Sequence, residues 1–275
     1  MRQRVIITIG GGKLAQGETR AIEREIVRHA RKRSPRLLFI PTASSDDESY
    51  WQSVNKRFRP LGCRTDVLML LRDKPKREEI EAKIRNADIV YVGGGNTLKM
   101  MRLWRRLGVD ELLRAAYRRG AVMCGTSAGS ICWYEAGHSD SMAYYNPASW
   151  QYIKVRGLEL LPGIHCPHYD SHTLQVPRRV DFQRMLSKTG GLGIAIENCC
   201  ALEYVDGRLN RIISSRKGAR AYLVYKHRGT IIERQIDSSM FGRKLKMPHR
   251  HADPTPARRV SGAGKTKRKP AAKRT

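Results

Sequence analysis

The chain has 275 residues, 40% of them hydrophobic, and a formal net charge of +28, enough length and apolar content for one large core. No apolar run approaches the ~20 residues that span a bilayer, and no early stretch joins a basic start, an apolar segment and a small-residue cleavage site, so the expectation is a soluble, unexported chain with no membrane partner. Six cysteines (Cys63, Cys124, Cys132, Cys166, Cys199 and Cys200) have no CxxC spacing, which argues against a metal knuckle or a disulfide framework and fits a reducing cytoplasm.

In chain order, "RVIITIGGG" is a β-branched run ending in three glycines, and the charged segment from about Thr19 to Arg33 has a helical pattern. "RLLFIPTAS", "RTDVLML", "DIVYVGGGN" and "AVMCGTSAG" repeat the form, each a short apolar run set off by a polar, helix-length segment. Five such units predict an α/β fold of three layers: a mostly parallel central sheet with helices on both faces. After Trp150, "LGIAIEN", "CALEYVDGRLNRIIS" and "AYLVYKHRGTIIER" read as strands joined by turns, with Asp206-Gly207 as a hairpin signal. They predict antiparallel strands towards the C-terminal end, as a continuation of one domain over residues 1–242.

Residues 243–275 carry twelve Lys/Arg against one acid, Asp253, and almost no large apolar side chain. Such a segment cannot offset its ordering entropy by burial, so it is expected to be a disordered basic tail. It serves either to solubilise the chain or to contact nucleic acid or another polyanion non-specifically.

Open parallel sheets collect ligands beyond the carboxyl ends of their strands. Three glycine-rich ends lie there: Gly10-Gly11-Gly12, Gly93-Gly94-Gly95, and Gly125-Thr126-Ser127-Ala128-Gly129. The first is a tight turn or a phosphate cradle that lacks either nucleotide fingerprint. In the last, a G-x-S-x-G serine follows a strand and precedes a helical run, the context of a nucleophile elbow. A serine before a helix is also an ordinary N-cap. A nucleophilic hydroxyl needs a base, and His165, His168 and His172 cluster in "GIHCPHYDSH". Pro167 at the centre argues against placing them on one helix face as metal ligands, and fixes the backbone direction at His168.

The segments "DIVYVGGGNTLKMM", "GAVMCGTSAGSICWYEAGHSDS", "GLELLPGIHCPHYD" and "LGIAIENCCALEYVDGR" together resemble the dipeptidase E and cyanophycinase family of serine peptidases, built on the class I glutamine amidotransferase-like fold. The resemblance runs from about residue 5 to 236. It implies Ser127 as nucleophile, His168 as general base, and the N–H groups of Gly95 and Ala128 as the oxyanion hole. It also places a carboxylate in the loop after the elbow helix, Asp140 first and Glu135 as the alternative, with Asp170 and Glu197 behind them. The family prefers aspartyl substrates, which implies a cationic or polar pocket for a carboxylate. Asn96 and Thr97, after the second glycine loop, cap the next helix or touch substrate; Glu197 orients a substrate amine or satisfies backbone groups.

The expected activity is therefore that of a cytoplasmic serine exopeptidase or dipeptidase on short peptides, with N-terminal or β-linked aspartyl residues among its substrates, no cofactor and no metal. The alternative is a catalytically idle binding protein whose basic body and tail contact nucleic acid. Nothing in the sequence fixes an oligomeric state.

Overall fold

The structure, a computed structural model, describes residues 3–247. In chain order the elements are β1 (Val5–Ile9), α1 (Arg20–His29), β2 (Arg36–Ile40), α2 (Glu48–Phe58), β3 (Arg64–Val67), α3 (Arg77–Asn86), β4 (Ile89–Val92), α4 (Thr97–Leu107), α5 (Val109–Arg119), β5 (Val122–Thr126) and α6 (Ala128–Ile131). There follow β6 (Tyr134–Ser139), β7 (Ile153–Arg156), β8 (Leu161–Cys166), β9 (His172–Thr173), β10 (Val176–Pro177), α7 (Arg178–Thr189), β11 (Leu192–Ile196), β12 (Cys200–Val205), β13 (Arg208–Ser214), β14 (Ala221–His227) and β15 (Thr230–Gln235).

A seven-stranded sheet runs β13-β12-β1-β5-β4-β2-β3. Its five strands from β1 to β3 pair in parallel, and β12 and β13 extend it antiparallel. Side chains on these strands alternate between two cores, as a period of two requires. Ile7, Ile9, Phe39, Tyr91 and Cys124 pack with Ile22 and Ile26 of α1 and Val54 and Phe58 of α2. Ile6, Leu38, Val90, Val92 and Met123 pack on the other side with α3, α4 and α5. Burial of each large aliphatic side chain contributes about 1.5–3 kcal/mol. The helices on both faces of a mostly parallel sheet are as the sequence indicates.

The sequence does not reveal that the later strands divide between two sheets. A six-stranded sheet, β15-β14-β11-β8-β6-β7, packs against the second core, and α7 covers its outer face through Phe182 and Leu186. Its central strands β6, β8 and β11 are parallel. Between the sheets runs a buried chain of hydroxyls: Thr8 Oγ1 and Tyr134 OH lie 3.0 Å apart, as do Tyr134 OH and Tyr204 OH. The packed body also runs past Gly242, the expected boundary. Arg243 pairs with Leu209, and Leu245 is buried in the second core. Residues 248–275, most of the expected basic tail, lie outside the described residues.

Candidate active site

The chain crosses from the first sheet to the second at Ser127, between β5 and α6. The turn is tight because both elbow glycines are in backbone contact. A Cβ at Gly125 would lie 2.2 Å from the Gly129 carbonyl oxygen, and one at Gly129 would lie 2.1 Å from that of Val92. Ser127 itself is held at φ 55° and ψ −117°, a left-handed conformation that costs a non-glycine residue about 1–3 kcal/mol and is typical of functional sites. It stands at the N-cap position, yet among the described residues its hydroxyl makes no capping hydrogen bond. The side chain is half-buried.

Three consecutive carbonyls at the end of β1 and just past it hold the site together. Ile9 accepts from the Ser127 N–H (3.2 Å), Gly10 from the His168 N–H (2.8 Å) and Gly11 from the Cys199 N–H (3.0 Å). The first glycine run is thus more than a turn: its carbonyls tie β1 to the segments that carry Ser127, His168 and Cys199. A Cβ at Gly11 would lie 2.2 Å from Asn198 Oδ1 and 2.3 Å from His168 Nδ1, so its bare backbone makes room for that pair.

His168, at φ 52°, follows β8, and Asn198 follows β11. His168 Nδ1 lies 2.7 Å from Asn198 Oδ1. Asn198 donates its backbone N–H (2.9 Å) and its Nδ2–H (2.8 Å) to Asp170 Oδ1. Its amide nitrogen therefore faces Asp170 and its oxygen faces the imidazole, which must donate from Nδ1 and keep a lone pair on Nε2. Enclosure of the ring in protein, reinforced by the positive charge of Arg178, pushes the His168 pKa down to about 4. The imidazole is neutral at pH 7 and able to accept a proton.

A cavity of about 300 Å³ is lined by Gly95, Ser127, Asp140, Tyr144, His168 and Arg178, among others. Asp140 shares this cavity with Ser127 and His168, but it does not meet His168 Nδ1. Its Oδ2 accepts from Thr173 Oγ1 at 3.0 Å and from Arg178, with which it forms an ion pair. Asn198, an amide, stands where the expected carboxylate would orient the base. Both residues follow parallel neighbours of β8, Asn198 after β11 and Asp140 after β6; what separates them is that Asp140 is engaged by Arg178 and Thr173, whereas Asn198 Oδ1 faces His168 Nδ1.

Glu135 is corrected more sharply. The elbow helix is a single turn, so Glu135 lies on β6, exposed, beside Lys154 and Arg156 in a different pocket. Glu197 accepts from Arg220 N (2.8 Å) and Tyr222 OH (3.0 Å), so its carboxylate satisfies a backbone and a side-chain donor. Asn96 is buried and caps α4, accepting from Lys99 N at 2.9 Å; Thr97 is buried as the first residue of that helix. Of the two, Asn96 is the cap. His165 is buried in β8 with both nitrogens engaged, Nδ1 at 2.9 Å from Ile194 O and Nε2 at 2.8 Å from Ser130 Oγ. His172 is exposed on β9 at the cavity wall.

The sequence reading missed Asn198 and Arg178. Asn198 sits beside Glu197 in "AIEN", but a search for an acid passes over an amide. Arg178 is one of 53 basic residues. It is buried, it lines the cavity, and its Nη1 has no hydrogen-bond partner among the described residues. A buried guanidinium with an unused donor costs free energy unless a ligand completes it.

Comparison with known proteins gives the chain's family. The family described as Peptidase family S51 matches residues 6–212. The chain is 34% identical over 221 residues to the Bacillus subtilis (strain 168) protein described as uncharacterized peptidase YgaJ, covering 80% of this chain and 91% of that one. It is 30% identical over 135 residues to a Drosophila melanogaster protein described as a probable alpha-aspartyl dipeptidase, covering 48% and 52% of the two chains. Among solved structures, that of a peptidase from an acI-B1 Actinobacterium superposes with a TM-score of 0.59 at 17% identity, over 88% of this chain and 96% of that one, a likeness of fold. No helix among the described residues is long and apolar enough to cross a membrane.

Proposed function

The chain belongs to peptidase family S51 and is a serine peptidase, and from that premise we propose that it is a dipeptidase or exopeptidase whose nucleophile is Ser127 and whose general base is His168. The observation that carries this reading is the shared cavity: an uncapped serine on a strained elbow faces it together with a neutral imidazole tied down at Nδ1. His168 Nε2 takes the hydroxyl proton as Ser127 Oγ attacks the scissile carbonyl. The N–H groups of Gly95, on the cavity wall, and Ala128, next after the serine, would hold the oxyanion. His168 then gives its proton to the leaving amine, and water hydrolyses the acyl-serine by the reverse sequence. Asn198 takes the orienting position at Nδ1.

Substrate recognition falls to the ion pair on the other wall. The positive charge of Arg178 on the cavity wall suits a substrate carboxylate, and Asp140 beside it suits the free ammonium of an N-terminal residue. Short peptides with an N-terminal aspartate meet both. The six cysteines are free and buried, which fits a cytoplasmic location. The alternative of an idle nucleic-acid binder draws no support of its own from the described residues.

Reaction with a fluorophosphonate followed by peptide mapping tests the reading. Labelling at Ser127, lost in Ser127→Ala together with hydrolysis of Asp-X dipeptides, is the expected result. Labelling elsewhere, or hydrolysis that survives Ser127→Ala, would sink it.

A further inference from the structure

An asparagine beside a catalytic histidine poses a problem that a carboxylate does not. A carboxylate can only accept, so it selects the Nδ1–H tautomer by itself. An amide offers an acceptor and a donor on nearly identical atoms. With its oxygen towards His168 it demands Nδ1–H and frees Nε2 for Ser127. Turned over, it donates to Nδ1, drives the proton to Nε2 and abolishes the base. Something must fix which way Asn198 faces.

We infer that Asp170, held in turn by Arg216, is a positioning residue that locks the Asn198 amide with its oxygen towards His168 and thereby selects the reactive tautomer. The inference rests on the assignment of Ser127 and His168 as nucleophile and base. One oxygen of Asp170 receives both the backbone N–H and the side-chain N–H of Asn198, at 2.9 and 2.8 Å. Turning the amide would set its oxygen against that carboxylate oxygen, two acceptors facing each other with no proton between them. The other oxygen of Asp170 is occupied by Arg216 Nη2 at 2.8 Å, so the carboxylate cannot rotate without losing an ion pair.

The local backbone supports the same arrangement. Asp170 lies two residues after His168 in a turn closed by the Ser171 N–H on the His168 carbonyl (2.9 Å), and Tyr169 N–H is anchored on Ile196 O (3.1 Å), two residues before Asn198. The imidazole and the carboxylate thus reach Asn198 from one segment. Partial burial works against the charge of Asp170, but the Asn198 N–H and Arg216 outweigh it and hold its pKa low, so it remains an acceptor at neutral pH. The charge missing from direct contact with the imidazole is supplied one residue further out. The charged groups bearing on His168 are Arg178, Asp140 and Asp170.

The test uses the full chain with Asp170→Ala, Asp170→Asn and Arg216→Ala, and reads tautomer and rate separately. Long-range proton–nitrogen NMR of the His168 ring distinguishes Nδ1–H from Nε2–H without requiring turnover. The wild type is expected to carry Nδ1–H. Asp170→Ala should shift the ring towards Nε2–H and lower kcat on an Asp-X dipeptide by about 100-fold, with KM changed less than about threefold, because the wrong tautomer costs the chemical step and not binding. Asp170→Asn can still accept from the Asn198 amide and should recover all but about tenfold, with Arg216→Ala similar. A folded Asp170→Ala that keeps Nδ1–H, or keeps kcat within about twofold, overturns the inference. Should Asp170→Ala fail to fold, an Asp170→Asn or Arg216→Ala protein indistinguishable from wild type in both readouts does the same. Failure of the peptidase reading would show instead as an unlabelled Ser127, and the NMR result would still decide the tautomer question.

Discussion

Gly11 and His168 are in van der Waals conflict with any side chain but hydrogen: a Cβ on Gly11 would sit 2.3 Å from the imidazole Nδ1. The loop after β1 therefore positions His168 through an absent atom as well as through the Gly10 carbonyl. Gly11→Ala should displace the His168–Asn198 pair and lower kcat by about 100-fold or more, since misplacement of about 1 Å can cost that much. Gly207→Ala is the control. That glycine also has positive φ, at 74°, but nothing lies within 4 Å of its added Cβ. It should lose about 1 kcal/mol of stability to backbone strain and keep full activity. Kinetics and thermal melts on both proteins check the pair.

The pH dependence separates rate from stability. Activity needs neutral His168, whose pKa is about 4 in the folded chain. The rate kcat/KM should stay level from pH 7 to 5 and fall only as pH drops through about 4. An acid limb near 6.5, where an unperturbed imidazole titrates, would contradict the burial argument.

Stability should begin to fall earlier. Burial also lowers His165, to about 3, and His138. Each takes up a proton less readily folded than unfolded, so the unfolded chain binds more protons below about pH 6.5. The melting temperature should be highest above that pH and decline steadily towards pH 4. Calorimetry across the range reads the slope; a flat profile would show that these histidines titrate alike in both states.

Asp140→Asn distinguishes the two positions a carboxylate could hold. In the orienting position of a triad, the amide substitution would lower kcat by about 10⁴-fold. Paired with Arg178 instead, Asp140→Asn should leave kcat within about tenfold and raise KM for dipeptides with a free amine. Arg178→Met should lower kcat/KM for Asp-X by about 100- to 1,000-fold and lose less on uncharged substrates, because a desolvated carboxylate would then face no donor. Steady-state kinetics on Asp-X and Ala-X peptides gives both answers.

His165 and His168 should fail in opposite ways. His168→Ala should cost kcat several powers of ten, roughly 10⁴ or more, with little change in melting. His165→Ala removes bonds to Ile194 O and Ser130 Oγ and a ring stacked on Tyr134 at 4.7 Å. It should cost stability, about 2–4 kcal/mol, and keep kcat within about tenfold if assayed while folded. Equal kinetic losses in the two would mean that Ser130, which also bonds the Ser127 carbonyl at 2.8 Å, governs the elbow.

The sequence by itself determined the local elements and marked Ser127 and His168 as the candidate pair. Short continuous apolar runs rich in β-branched residues, such as "VIITI" and "IVYV", are strands whichever sheet they join, because a strand covered on both faces needs apolar side chains at every position. Glycines at strand ends and the small residues around Ser127 marked an elbow, because only they allow its backbone contacts. Pro167 kept His168 off a helix. The tertiary structure alone decided what meets what. Asp140 and Asn198 are both polar residues just past a strand that flanks β8, one on each side; which of them reaches His168 Nδ1 depends on how the second sheet packs and on Arg178 of α7 engaging Asp140, encounters between segments some thirty residues apart that no local period encodes. The same holds for Arg178, one cation among many until α7 buries it against the cavity, and for Glu135, which a one-turn helix places on the outer face of β6. Long-range register fixes side-chain encounters, and register is a consequence of packing the whole chain.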